Sequence, residues 1–120
     1  MTFRLFIVAA GAILLVALFI LLRPVVAPQG PAERSIAVTV SADGMEPKQI
    51  AVGEGDRVTL RLTVRSTVRF HLHGYDIERD LSAGTTETVE LTATLTGRFE
   101  IEDEATKTVL GELVVEPRGR

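Results

Sequence analysis

Hydrophobic positions divide the chain into two unlike parts. From Leu5 to Leu22, LFIVAAGAILLVALFILL, 18 consecutive residues carry no charge and no strongly polar group. As a helix this run extends about 27 Å at about 1.5 Å per residue, close to the roughly 30 Å of a bilayer's hydrocarbon core. From residue 35 onward the pattern becomes alternation with period two. RVTLRLTVR (57–65) shows it most clearly: Val58, Leu60, Leu62 and Val64 share one side, while Thr59, Arg61, Thr63 and Arg65 share the other.

SIAVTV (35–40), KQIAV (48–52), VRFHLH (68–73), TETVELTAT (86–94), RFEIE (98–102) and TVLGELVVEP (108–117) are further strand candidates. A second extended piece follows VRFHLH through Tyr75 and Ile77. Turn residues separate the segments at Ala42-Asp43-Gly44, Gly53-Glu54-Gly55-Asp56, Ser82-Ala83-Gly84 and Gly97. About seven short strands broken by turns at intervals of about 8 to 12 residues predict an all-β Greek-key β-sandwich. The expected organisation is an N-terminal transmembrane helix in residues 1–23, a linker in 24–34 and the sandwich in 35–117.

The linker PVVAPQGPAER holds three prolines and a glycine and shows no periodicity. A cleaved signal peptide is the rival to a retained anchor, but its apolar region usually runs only about 7 to 15 residues. The one cleavage-like pattern, Val25-Val26-Ala27, is followed by Pro28, which obstructs a signal peptidase. With Arg4 and the short tail inside, the C-terminal domain lies outside the cytoplasm, periplasmic or extracellular.

Composition narrows the chemistry. The 120 residues include no cysteine, so neither lipidation nor a disulfide braces the domain, and its core must suffice. From Arg34 onward there are 15 acidic and 11 basic residues, and no basic run, which argues against nucleic acid as a partner. Arg57, Arg61 and Arg65 read as the solvated face of an antiparallel sheet. No Ser/His/Asp or Cys/His arrangement and no phosphate-cradling glycine loop appears, so the expectation is a protein that is not an enzyme.

Taken in order, several segments resemble the cupredoxin family of small copper-binding sandwiches. Gly44-Met45-Glu46-Pro47-Lys48-Gln49-Ile50-Ala51-Val52 is similar to its opening motif, and Gly55-Asp56-Arg57-Val58-Thr59-Leu60 to its GDxVxL strand entry. His73-Gly74-Tyr75-Asp76-Ile77 resembles the segment carrying the first copper histidine, and Ser82-Ala83-Gly84 the Gly-ended turn after it. Gly97-Arg98-Phe99-Glu100-Ile101 resembles the strand leading to the copper cysteine, and Gly111-Glu112-Leu113-Val114-Val115 the closing GxLxV. The likeness covers most of residues 40 to 116. It departs at the metal. The cysteine position falls near Glu102-Asp103, no histidine follows in EDEATKTVLG, and the methionine position is Val109. A type 1 centre needs a thiolate, two imidazoles and usually a thioether, so blue-copper electron transfer is ruled out.

FHLHGYDIE (70–78) holds both histidines of the chain. In a strand, residues i and i+2 project from one face, so His71 and His73 point together, about 7 Å apart along the backbone, opposite Phe70 and Leu72. Imidazole suits copper and zinc. Glu100, Glu102, Asp103 and Glu104 lie in or beside the family's cysteine strand and offer oxygen ligands, with Glu102 and Asp103 nearest its ligand position. The resulting metal candidates are His71, His73, Glu102 and Asp103, a set favouring Cu(II), or Zn(II), over Cu(I). Met45, the only sulfur in the domain, is expected in the core. Alone, the acidic run 102–104 reads as a solvated loop, and the histidine pair as polar positions on a half-buried strand. The competing expectation is therefore a metal-free interaction or assembly module for an envelope protein partner.

Overall fold

The computed structural model describes residues 2–24 and 30–119. Residues 25–29, which hold part of the linker and the cleavage-like pattern, lie outside the described residues. Helix α1, Thr2–Leu21, buries none of its side chains and is long and apolar enough to cross a membrane. A helix apolar all round has no polar face to give to water, which is the pattern of a membrane span.

The rest is a sandwich, as the alternation predicts, but both sheets are mixed rather than purely antiparallel. Nine strands are described: β1 Glu33–Ser41, β2 Gly44–Glu46, β3 Gln49–Gly53, β4 Arg57–Val64, β5 Val68–Leu72, β6 Ile77–Leu81, β7 Thr86–Thr92, β8 Gly97–Asp103 and β9 Thr108–Glu116. One sheet runs β2-β1-β4-β7 and the other β3-β9-β8-β5-β6. β1 pairs with β4, and β3 with β9, in parallel. Their partners are therefore distant in sequence, and the chain crosses repeatedly between sheets. β2 is new, and β6 takes up the second extended piece expected after VRFHLH from Ile77 onward. β2 doubles back on β1 through a tight turn, and β6 forms a hairpin with β5. Tyr75, expected in an extended piece, lies in the turn of that hairpin. β1 begins at Glu33, inside the segment read as linker.

The core follows from period-two parity. Val58, Leu60, Leu62 and Val64 of β4 face Phe70 and Leu72 of β5, Ile101 of β8, and Leu113 and Val115 of β9, all buried. Burying each such side chain contributes about 2 kcal/mol. Met45 is in this core, as expected, and packs where Gly111 has no side chain: a Cβ there would lie 2.6 Å from the Met45 sulfur. Arg57, Arg61 and Arg65 are exposed, and Arg57 lies 3.9 Å from Glu33.

Among the described residues two charged side chains are buried in this interior, Asp103 and, completely enclosed, Asp56. The Asp56 carboxylate accepts the N–H of Ala32 at 2.8 Å and of Gly53 at 2.9 Å, and the Arg118 guanidinium. Arg34 Nε approaches it at 3.4 Å, and Arg118 also donates to the Glu54 carbonyl. One carboxylate thus ties together the start of β1, the β3–β4 turn and the C-terminal tail. Burial alone would raise its pKa. The Ala32 and Gly53 N–H groups and Arg118 outweigh that effect and hold it at about 2.

Replacing Asp56 with alanine strands these donors and is expected to cost about 3 kcal/mol in urea unfolding. Because folding lowers this pKa, its stabilisation is complete above the ordinary value of 3.8 and is lost as pH falls through about 2. Unfolding midpoints measured from pH 5 down to about 2 should therefore converge between wild type and Asp56→Asn; a constant gap would contradict this assignment.

Candidate metal centre

The register between β5 and β8 builds the site. Phe70 pairs with Asp103, His71 with Glu102 and Leu72 with Ile101. Directly opposed residues of antiparallel strands share a face. Burial of Phe70, Leu72 and Ile101 therefore turns His71 and Glu102 outward together. The Glu104 N–H donates to the Arg69 carbonyl at 2.8 Å, which carries its side chain back over β5. The His73 N–H donates to the Glu100 carbonyl at 3.0 Å, holding the end of β5 against β8.

Four side chains meet on this outer face. One donor atom from each of His71, His73, Glu102 and Glu104 lies within 4.8 Å of all the others. The two imidazole centroids are 4.3 Å apart. His71 Nδ1 lies 2.9 Å from Glu104 Oε2 and 3.8 Å from Glu102 Oε1. Glu102 is the least exposed member, at 12% of its side chain, and His73 the most, at 43%. His73 Nε2 comes within 2.8 Å of Glu102 Oε1, yet the two are not aligned for a hydrogen bond. That buried nitrogen has no hydrogen-bond partner among the described residues. An imidazole nitrogen and a carboxylate that converge without a hydrogen bond form an arrangement that a cation satisfies.

Three of the four residues expected from the sequence are here. Asp103 is not. It pairs opposite Phe70 on the inner side, is 3% exposed, and serves the backbone. Its Oδ1 accepts the Arg69 N–H at 3.0 Å and the Ala105 N–H at 3.1 Å, and its Oδ2 the Thr106 hydroxyl at 3.1 Å. Glu104 takes its place in the cluster. The run 102–104 is accordingly no solvated loop, since two of its members face the histidines and the third is buried. The signal was present in RFEIEDE: Phe99 and Ile101 inward put Glu102 and Glu104 outward and Asp103 inward.

The turn beyond His73 depends on Gly74, whose φ of 82° suits glycine and whose missing Cβ leaves room for the Phe99 ring. Tyr75 packs edge-on against Phe99 at 5.0 Å and donates its hydroxyl to the Leu95 carbonyl at 2.7 Å. Glu78, directly opposite His71 on β6, adds a third carboxylate nearby. Lys107 pairs with Glu104. Its ammonium first, and the His71 imidazole after it, hold the Glu104 pKa at about 2, so the carboxylate is ionised throughout the physiological range. The Nδ1–H of His71 accordingly donates to it.

These donors do not fit the thiolate copper centre, since the chain has no cysteine to supply the sulfur. Two imidazoles and two carboxylates fit Cu(II) or Zn(II).

A family model described as cupredoxin-like domain matches residues 11–115. Among solved structures, the chain is similar to the copper binding protein solved by NMR in its apo form, at 20% identity and a TM-score of 0.61, covering 75% of this chain and 94% of that one. It is also similar to the metal binding domain of the Cu(I)-exporting P-type ATPase CopA of Streptococcus pneumoniae D39, at 12% identity and a TM-score of 0.61. There 70% of this chain covers 94% of that domain. The multicopper oxidase mgLAC matches at 20% identity and a TM-score of 0.59 over 73% of this chain, which spans only 40% of the oxidase. At such identities the likeness is one of fold. No curated protein sequence matches the chain.

Asp103→Ala is expected to lower stability by about 2–3 kcal/mol in chemical denaturation, because buried N–H groups lose their acceptor. A loss below about 0.5 kcal/mol, the range of ordinary surface substitutions, would show that Asp103 does not hold this turn.

Proposed function

The chain belongs to the cupredoxin-like domain family, and from that membership we propose a membrane-anchored, extracytoplasmic protein that binds and handles copper as Cu(II). His71, His73, Glu102 and Glu104 are its ligands, with Zn(II) as the alternative ion. The observation that carries this reading is the convergence of four donor atoms within 4.8 Å of one another, with a buried His73 nitrogen there left without a hydrogen bond. Similarity in fold to a copper binding protein and to the metal binding domain of a Cu(I)-exporting ATPase supports it.

In this reading α1 tethers the domain to the membrane and faces its site to the extracytoplasmic solution. Partial exposure of every ligand leaves the site open to exchange with other molecules rather than sealed in the core. The role proposed is binding: the chain has no cysteine to supply the thiolate of a blue-copper centre. The ordered scaffold beneath the ligands, with Phe70, Leu72 and Ile101 buried under them, limits how far they must move to close on an ion.

Titration of the full chain in detergent with Cu(II), and separately with Zn(II), tests this. Binding tighter than micromolar is expected. His71→Ala or His73→Ala should weaken it by more than the about 10- to 100-fold that loss of an outer partner costs. At free metal near about 100 times Kd, wild-type stability should rise by about 2.7 kcal/mol. Without histidine-dependent binding at this strength, the metal reading fails and a metal-free interaction module takes its place.

A further inference from the structure

Lys107 is unusual in both position and partner. It lies in the turn joining β8 to β9, with a backbone φ of 59°, a left-handed conformation uncommon for lysine. Asp103 fixes that turn from within, through Arg69, Ala105 and Thr106. The result delivers the Lys107 ammonium to Glu104 Oε1, while Glu104 Oε2 faces His71. The same ammonium lies in the field of Glu102 and Glu78. Arg69, on the same face of β5, is engaged by Asp80 at 3.0 Å instead.

With neutral imidazoles, the four candidate ligands carry two negative charges, and Lys107 cancels one of them. A divalent ion entering the cluster meets an ammonium already held by one of its own ligands. Because the two cations face different oxygens of Glu104, the ion can begin to bind before the lysine leaves. The lysine side chain is 66% exposed, so swinging it into solvent costs little packing.

We propose that Lys107 is a built-in competing cation for this site, one that keeps Glu104 paired when no metal is bound, weakens metal binding and speeds release. This rests on the metal-binding reading above. A unit charge about one side-chain width from a divalent ion, screened as in water, changes affinity by roughly tenfold.

The test compares wild type with Lys107→Gln and Lys107→Arg, as full chains in detergent. Cu(II) and Zn(II) are the probes, with affinity read by competition titration and release by stopped-flow transfer to a chelator. Lys107→Gln should bind roughly tenfold tighter and release more slowly, Lys107→Arg should stay near wild type, and the gap should narrow as salt rises. Arg61→Gln, on the outer face of the other sheet, controls for net charge. Unchanged or weaker binding in Lys107→Gln, or equal tightening in Arg61→Gln, would overturn it while histidine-dependent wild-type binding leaves the metal reading standing. Absence of binding in every form would sink both.

Discussion

The antiparallel pairing of β5 with β8 is the constraint on which the candidate site depends. Side chains alternate across a strand, so burial of Phe70, Leu72 and Ile101 excludes any pairing slipped by one residue. The same register sets His71 opposite Glu102 and sends Asp103 inward. A slip of one residue would bury an imidazole and a carboxylate and expose the apolar set. Site and core are two faces of one pairing, and the core enforces the geometry that the donors need.

A second constraint acts at the other end of the sandwich. No disulfide braces the domain, yet the start of β1, the β3–β4 turn and the tail after β9 must be held together. Asp56 does this with one buried carboxylate that accepts two backbone N–H groups and an arginine. Asp103 repeats the device at the β8–β9 turn with two N–H groups and a hydroxyl. In both places a short acidic side chain stands in for secondary structure where the chain must turn inside the fold. The second of these turns carries Glu104 and Lys107, so backbone satisfaction there has a direct chemical consequence.

The family fold holds a copper centre when it supplies a thiolate, and this chain supplies none. Outward positions of β5 and β8, and of the residues just beyond their ends, carry imidazoles and carboxylates in its place. Such donors are harder than sulfur, so under the metal-binding proposal they favour Cu(II) or Zn(II). Carboxylates crowded on one face also need a counter-charge when no ion is present. Lys107 answers that need, and the strength of its pairing bears on how tightly any metal is held.

Much of this was legible in the sequence because side-chain parity is local. Alternation in RVTLRLTVR and VRFHLH determines which residues enter the core and that His71 and His73 share a face. Applied as strictly to RFEIEDE, it also separates Asp103 from Glu102 and Glu104, a distinction that choosing adjacent acids by position along the chain misses. The apolar run of α1 and the absence of cysteine are equally readable without coordinates. Pairing between distant segments is another matter. β1 alongside β4 in parallel, Arg118 reaching Asp56 across 62 residues, and Glu102 meeting His71 across β5 and β8 depend on which strand ends up beside which. Neither propensity nor periodicity encodes that choice. It is decided when two apolar faces close over each other and every buried N–H and carboxylate has to find a partner.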